Sequence, residues 1–257
     1  METNPLRQKW RNGEPTVGGW IWIPNSFSAE AMARQDFDFL VLDTQHGAMD
    51  FDTAFPLIQA ITLTGRPVIV RVGWNEPRLI MKYLDAGAFG VIIPMVNNRE
   101  EAERAVAACR YPPEGIRSAG PFRAMMSMGA NYQAEANSEV ACIVMIETAE
   151  AVENLEQIAS VPGIDCLYIG PSDLGVSMGF PQRYEPFDAP YRDTFVSIRS
   201  AAEKHGIVPG LNTTGGPQAA RFIKDGFKFI TMTTDLGNML NGTRAALSSL
   251  REAMAAD

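Results

Sequence analysis

A histidine that closes an apolar run raises a question when the chain holds only one other. In "FDFLVLDTQHGAMD" (37–50) the apolar stretch gives way to Asp43, Gln45 and His46. A neutral imidazole there can take a proton at physiological pH, because its unperturbed pKa is about 6.5. Three further apolar runs end in groups that suit the same chemistry: "PVIVR" in Arg71, "ACIVMIE" in Glu147, and "DCLYIG" in a turn that closes on Asp173. Two carboxylates, Glu147 and Asp173, would leave most of an octahedral shell to water and substrate oxygens. That suits Mg²⁺ or Mn²⁺, with Co²⁺ a further option. Arg71 keeps its charge at any relevant pH and could stabilise an oxyanion. A divalent ion chelated by a 2-keto acid acidifies the adjacent C–H. Base, guanidinium and ion together describe enolate formation. The strand, tight turn and helix start of "IGPSDLG" (169–175), with Gly170, Ser172 and Asp173, offer backbone N–H groups to a carboxylate or phosphate.

Each of these residues has a plainer reading when taken alone. An Asp or Glu after a strand is most often a helix N-cap, and an Arg is most often a surface charge. Convergence on one rim changes that balance. Other chemistries have less support. The five lysines are Lys9 near the terminus, Lys82, Lys204 and Lys224 on helical patterns, and Lys228 at the start of a strand, so none is placed to form an imine. No His/Cys cluster has zinc-like spacing. His205, in "EKHG", falls in the last turn of a helix, where its charge suits the dipole, and reads as structural.

The elements that must position these groups alternate in type. Strands are expected at 19–23, 39–43, 67–71, 90–94, 141–147, 165–170, 207–211 and 227–232. Runs apolar on both faces fit parallel strands covered by helices. Asn98 followed by Glu101 forms a capping box, and Pro77 opens a helix. "DAGAFG", "KHGIV" and "KDGFKF" each put Gly after a helix and before a strand. Eight strands with intervening helices in 257 residues is the count of a (β/α)8 TIM barrel, whose chemistry lies at the C-terminal strand ends. A doubly wound open sheet is the runner-up. Residues 111–139 and 179–193 lack a clear period and read as loops or interface segments. No linker or repeat divides the chain, so 1–257 is expected to be one domain.

Composition narrows the partners. The formal net charge of −8 argues against nucleic acid or an anionic membrane. It leaves small anionic substrates open. No stretch reaches the length of a membrane span, and the N-terminus has no apolar signal region. Cys109, Cys142 and Cys166 show no CxxC spacing and sit in apolar contexts, as buried reduced thiols of a cytoplasmic protein do.

Many short motifs fall in one order: "FSAE" (27–30), "DFLVLDTQHG" (38–47), "VRVGWNEP" (70–77), "LDAGAFGVIIPMV" (84–96), "CRYPPEGIRS" (109–118), "IETAEAVENLEQIASVPGID" (146–165) and "IGPSDLGVSMG" (169–179). Through them the sequence resembles the HpcH/HpaI aldolases, metal-dependent class II pyruvate aldolases, over almost the whole chain. The resemblance implies a modified TIM barrel whose last helix, about 234–253, is exchanged between subunits of a homohexamer built as a trimer of dimers. It implies reversible aldol cleavage of 4-hydroxy-2-keto acids to pyruvate or hydroxypyruvate plus an aldehyde, with a divalent metal and no organic cofactor. By position, His46 would be the base and Arg71 the enolate-stabilising cation. Glu147 and Asp173 would hold the metal, and the turn at Gly170, Ser172 and Asp173 would receive the substrate carboxylate.

The resemblance also assigns Asp85 the task of raising the basicity of the histidine. Asp85 ends a helix, however, and should lie at the bottom of its own barrel, so it could reach a histidine only across a subunit interface or by unusual packing. Asp43, three residues before His46, is the local alternative for orienting the ring. The chain departs from the family pattern at Gln45, where Glu is common. It departs again at Met145, where a substrate-binding glutamine is common, and at Trp22, where a small residue is common. Two other reactions would keep the metal site: cleavage of citryl- or malyl-CoA thioesters, and phosphoenolpyruvate rearrangement. CoA would need a basic groove, and 111–139 offers only Arg117 and Arg123. A binding barrel without catalysis is the remaining alternative.

Overall fold

A strand apolar at every position cannot leave one face in water, so it must be covered on both sides. In the computed structural model, which describes residues 3–180 and 189–255, eight strands, most of their positions apolar, close into one parallel barrel in chain order. They are β1 (Thr16–Ile21), β2 (Phe39–Asp43), β3 (Val68–Arg71), β4 (Gly90–Ile93), β5 (Ala141–Ile146), β6 (Cys166–Ile169), β7 (Val208–Asn212) and β8 (Phe229–Thr234). Helices follow each strand, and the open-sheet alternative is excluded by the pairing of β1 with β8.

Three expected boundaries move for visible reasons. β1 starts earlier than 19, because Thr16 and Val17 pair with Phe229 and Ile230 of β8. It ends before Trp22, because the Asp235 carboxylate accepts the backbone N–H groups of Trp22 and Ile23 and so ends the ladder. β8 starts two residues after 227, since the Phe227 N–H donates back to the Phe222 carbonyl at the end of a helix. The start signals hold. Asn98 Oδ1 accepts from Glu101 N, and Pro77 is the first residue of its helix.

The N-terminal end of the barrel is sealed by aromatics. Phe39 stacks on Phe229 at 4.4 Å, and Trp10 of the helix Pro5–Arg11 packs edge-on against Phe229 at 5.4 Å. Gly18 makes this possible, since a Cβ there would lie 2.4 Å from the Phe39 ring. Above this plug a polar layer crosses the barrel: Tyr168 Oη and Thr231 Oγ1 are 2.6 Å apart, and Trp20 Nε1 donates to Thr231 Oγ1 at 2.8 Å and to Asn212 Oδ1 at 3.0 Å. The layer fixes the large side chains on which the C-terminal cavity rests.

Residues 111–139, expected to be a loop, carry two short helices, Phe122–Met128 and Tyr132–Glu139. Ala124, Met128, Tyr132 and Ala136 are their buried anchors, four residues apart, with Gly129 breaking the run between helices. Of the second expected loop, 181–188 lies outside the described residues, and the helix Ala189–Lys204 takes its last positions. Among the described residues no helix is long and apolar enough to cross a membrane. The three cysteines are buried and free.

Candidate active site

Strand register places the first pair of groups. Asp43 of β2 is paired with Arg71 of β3, so two opposite charges stand side by side at the C-terminal rim. Arg71 Nε donates to Asp43 Oδ1 at 2.9 Å and Nη2 donates to Oδ2, a fork-to-fork pair in which Asp43 is fully buried. The guanidinium lies over the Trp20 ring, 4.6 Å from its centroid. This leaves Nη1 without a hydrogen-bond partner among the described residues. A bidentate, stacked guanidinium is held in one orientation, as an electrostatic stabiliser must be.

The same aspartate shapes the turn that carries the histidine. Asp43 Oδ1 also accepts the backbone N–H groups of Gln45 and His46, each at 3.1 Å. Asp43 therefore orients the arginine and the loop, and none of its bonds reaches the imidazole. His46 stands exposed at the mouth.

The second pair comes from β5 and β6, where Ile146 and Ile169 are register partners and the next residues are Glu147 and Gly170. Glu147 is 1% exposed. Its Oε1 accepts one hydrogen bond, from the Met95 N–H at 2.8 Å. Met95 adopts φ 55°, the left-handed region that costs a side-chain-bearing residue energy and that clusters at functional sites. Burial pushes the Glu147 carboxyl up to about 7. The nearby Asp173 carboxylate pushes the same way, while the Met95 N–H and Arg71 oppose it. Asp173 itself is exposed, in the first turn of the helix Pro171–Ser177. Among the described residues no cluster of three or more His, Cys, Asp or Glu assembles, so this pair is the oxygen-donor set the rim offers. A buried carboxylate with one hydrogen bond and a like charge nearby is short of positive charge, and a hard divalent cation supplies that. The residues fit the group.

Gly170 makes the close approach possible, since a Cβ there would lie 2.4 Å from Glu147 Oε2 and 2.8 Å from the Met145 methyl carbon. These elements surround a cavity of about 590 Å³ lined by His46, Arg71, Met145, Gly170, Ser172 and Asp173 on one side. Glu147 sits just behind its wall at Gly170.

Reading the sequence for acids, bases and cations missed the opposite side. Asn212 ends β7 and Thr213 and Thr214 follow it, Met232, Thr233 and Thr234 close β8, and all six line the cavity. The signal was present, because "LNTTGG" and "TMTTD" also end strands; hydroxyls and amides simply do not titrate.

Two singled-out residues lie elsewhere. Asp85 ends the helix Pro77–Asp85 and receives a hydrogen bond from Arg117 Nη2 at 2.8 Å, and it does not line the cavity of its own barrel. His205 faces Glu156, with Nε2 3.1 Å from Oε2, and holds the junction between two outer helices.

Comparison with known proteins agrees with the barrel architecture. The model of the HpcH/HpaI aldolase/citrate lyase family matches residues 17–242. The chain belongs to that family. Within it, the chain is 38% identical over 248 residues to a hydroxypyruvate/pyruvate aldolase of Rhizorhabdus wittichii, covering 96% of this chain and 99% of that one. It is also 38% identical to a 4-hydroxy-2-oxo-heptane-1,7-dioate aldolase of Salmonella paratyphi C, covering 94% and 92%. A crystal structure of an HpcH/HpaI aldolase/citrate lyase family protein from Burkholderia cenocepacia J2315 superposes with a TM-score of 0.89 at 31% identity, covering 97% of this chain and 100% of that one. The HpcH/HpaI barrel is thus the architecture in which the Asp43–Arg71 and Glu147–Gly170 neighbours occur.

Proposed function

We propose that the protein catalyses reversible aldol cleavage of 4-hydroxy-2-keto acids to pyruvate, or hydroxypyruvate, and an aldehyde. The observation that carries the reading is the gathering of His46, the Asp43-held Arg71 and Asp173 around one cavity at the C-terminal strand ends, with the buried Glu147 behind its wall at Gly170. Glu147 and Asp173 would hold a divalent cation, Mg²⁺ or Mn²⁺, with Co²⁺ a further option; when bound, it would draw charge from the keto group and acidify the adjacent C–H.

In this reading the keto-acid carboxylate rests on the backbone N–H groups of Ser172 and Asp173, which have no intrahelical partner in a first turn. Gly170 lets that turn lie close to Glu147. His46 removes a proton from C3, the C–H electron pair passes into the C2–C3 bond, and the carbonyl π pair moves onto oxygen opposite Arg71. The C3 carbon then attacks the aldehyde carbonyl, and the new alkoxide takes a proton. Cleavage is the reverse. Pyruvate and hydroxypyruvate give the same enolate, the second with an extra hydroxyl.

A CoA substrate has less support. Arg117 is 1% exposed and donates to Asp85 and Tyr132, and Arg123 donates to the Ala86 carbonyl and to Thr62, so neither arginine of 111–139 lines the cavity at the C-terminal strand ends.

We further propose a homohexamer in which the C-terminal helix passes to a neighbour. The helix Asp235–Ala255 is exposed beyond Gly237 and carries Leu240, Leu247, Leu250 and Met254 at heptad-like spacing, all open to solvent in one subunit. Asp85 would act on His46 only across such an interface. The free, buried cysteines favour a cytoplasmic setting.

The direct test is pyruvate release from 4-hydroxy-2-keto acids with and without EDTA. Loss of release on chelation and its return with Mn²⁺ support the reading; turnover that survives complete chelation refutes it.

A further inference from the structure

Arginines withdrawn from water in this barrel keep carboxylates beside them, with two exceptions. Among the described residues that are not exposed, Arg7 and Arg110 pair with Asp165, Arg71 with Asp43, Arg117 with Asp85, and Arg199 with Glu203. Arg66 and Arg123 have no such partner among the described residues, and both line a second cavity, of about 200 Å³. It lies at the opposite end of the barrel from His46. Thr62 and Arg66 lead from the helix Phe51–Thr62 into β3, Phe89 precedes β4, and Arg123, Ser127 and Met128 come from the helix Phe122–Met128.

Neutral groups hold Arg123 in place. Its Nη1 donates to the Ala86 carbonyl at 2.9 Å and to Ser127 Oγ at 3.3 Å, and its Nη2 donates to Thr62 Oγ1 at 2.7 Å. Gly87 makes room for this, since a Cβ there would lie 2.3 Å from Arg123 Nη1. Thr62 and Ser127 spend their own protons on the carbonyls of Ile58 and Arg123, so they orient the guanidinium without neutralising it. Arg66 reaches back to the carbonyls of Ala33 and Gln35, through Nε at 3.4 Å and Nη2 at 3.1 Å. Among the described residues this leaves the Nε–H and one Nη2–H of Arg123 without a partner, and both Nη1–H groups and one Nη2–H of Arg66. Burial lowers the Arg123 guanidinium from its ordinary value, and no neighbouring carboxylate offsets the shift. Two recessed cations beside the buried Phe89 and Met128 are costly to leave unpaired. An oxyanion with two charges would satisfy both, because guanidinium N–H groups match such oxygens in pairs.

We infer that this second cavity is a binding site for a small doubly charged oxyanion, a phosphate monoester or a short dicarboxylate, held by Arg66 and Arg123. A phosphate monoester puts both charges on one head and a dicarboxylate on two, and either can lay its carbons against Phe89 and Met128. The site is separate from the cavity at the C-terminal strand ends and stands independently of the aldolase reading. An anion there would join the ends of the helices Phe51–Thr62 and Phe122–Met128, and through Ala86 the end of Pro77–Asp85, so its binding should register as stability.

The test is calorimetry and thermal unfolding of the full-length Mg²⁺-loaded protein with sulfate, glycerol phosphate and succinate, and with acetate as the singly charged control at equal ionic strength. Sulfate at about ten times its Kd should raise Tm by about 3–6 °C, and acetate should not. Arg66→Met and Arg123→Met should each weaken sulfate binding about tenfold or more. Arg66→Met gives up only two bonds to carbonyls, so it tests the site even if Arg123→Met fails to fold. Whichever of glycerol phosphate and succinate binds more tightly, with the loss repeated in the variants, identifies the class of ligand. Sulfate also stabilises proteins by exclusion from their surface. A Tm rise that persists undiminished in the variants is that effect, or binding elsewhere, and overturns the site. Failure of all three dianions to bind overturns it too. So does a smaller assembly for Arg66→Glu with no sulfate binding in the wild type, since the guanidinium pair would then face a carboxylate of a second copy.

Discussion

Glu147→Gln separates the cost of a buried charge from its use. In the metal-free protein the Glu147 carboxyl titrates at about 7, against an ordinary value of 4.5, chiefly because it is buried. The folded state then holds a proton that the unfolded chain has already released between those two values. Stability must therefore fall as pH rises through that window and stay low above it. At about 1.36 kcal/mol per unit, the difference costs the metal-free protein ~3 kcal/mol at pH 8. Glutamine keeps the shape, and its amide oxygen can still accept the Met95 N–H, yet it never ionises. In EDTA the variant should match the wild type near pH 4.5–5 and exceed it by ~3 kcal/mol at pH 8, which for a chain of this size is roughly 6–12 °C in Tm. Thermal unfolding of both proteins in EDTA at pH 5, 6, 7 and 8 measures this. Adding Mn²⁺ should raise the wild type and leave the variant nearly unmoved. A variant no more stable than wild type at pH 8 in EDTA, or a difference constant from pH 5 to 8, would refute the reasoning.

Three more perturbations separate the roles. His46→Ala should lower turnover about 10²–10⁴-fold while Mn²⁺ affinity, measured by calorimetry, stays at the wild-type value. Gly170→Ala puts a Cβ 2.4 Å from Glu147 Oε2 and should weaken Mn²⁺ binding about 10–100-fold, whereas Gly120→Ala, with nothing within 4 Å, should change neither binding nor Tm. Leu247→Glu together with Leu250→Glu places charge on the exposed face of the C-terminal helix; light scattering should show a smaller assembly than the wild type, and an unchanged mass would count against helix exchange.

Much of the architecture was legible because it follows from one rule. Strands apolar on both faces, each followed by a helix and a glycine, have few packings open to them, and "FLVLD" needed no correction. The groups that ionise were legible for a related reason: charge at the end of an apolar run is costly and therefore conspicuous. What stayed hidden depended on contacts far apart in sequence. That Asp43 grips Arg71 instead of the imidazole follows from the β2–β3 register, which no local pattern reveals. The short helices in 111–139 were hidden by Gly129, which splits the four-residue spacing of their anchors into pieces too short to show a period. The threonine wall was hidden because Thr is at home in any strand.

The register also explains why one half of the cavity can vary while the other cannot. Asp43 opposite Arg71, and the carboxylate after Ile146 beside the glycine after Ile169, are each fixed by strand pairing plus one side chain. Removing Asp43 or Arg71 leaves the other's buried charge without its partner, at a cost of several kcal/mol, and a side chain at Gly170 would meet Glu147. The β7 and β8 ends carry no such debt. Thr213, Thr233 and Thr234 bond to nearby backbone or to a neighbouring helix turn through single neutral hydrogen bonds, each worth about 1 kcal/mol. A barrel built this way can exchange side chains at its β7 and β8 ends without disturbing the charged groups that the β2–β3 and β5–β6 registers hold in place.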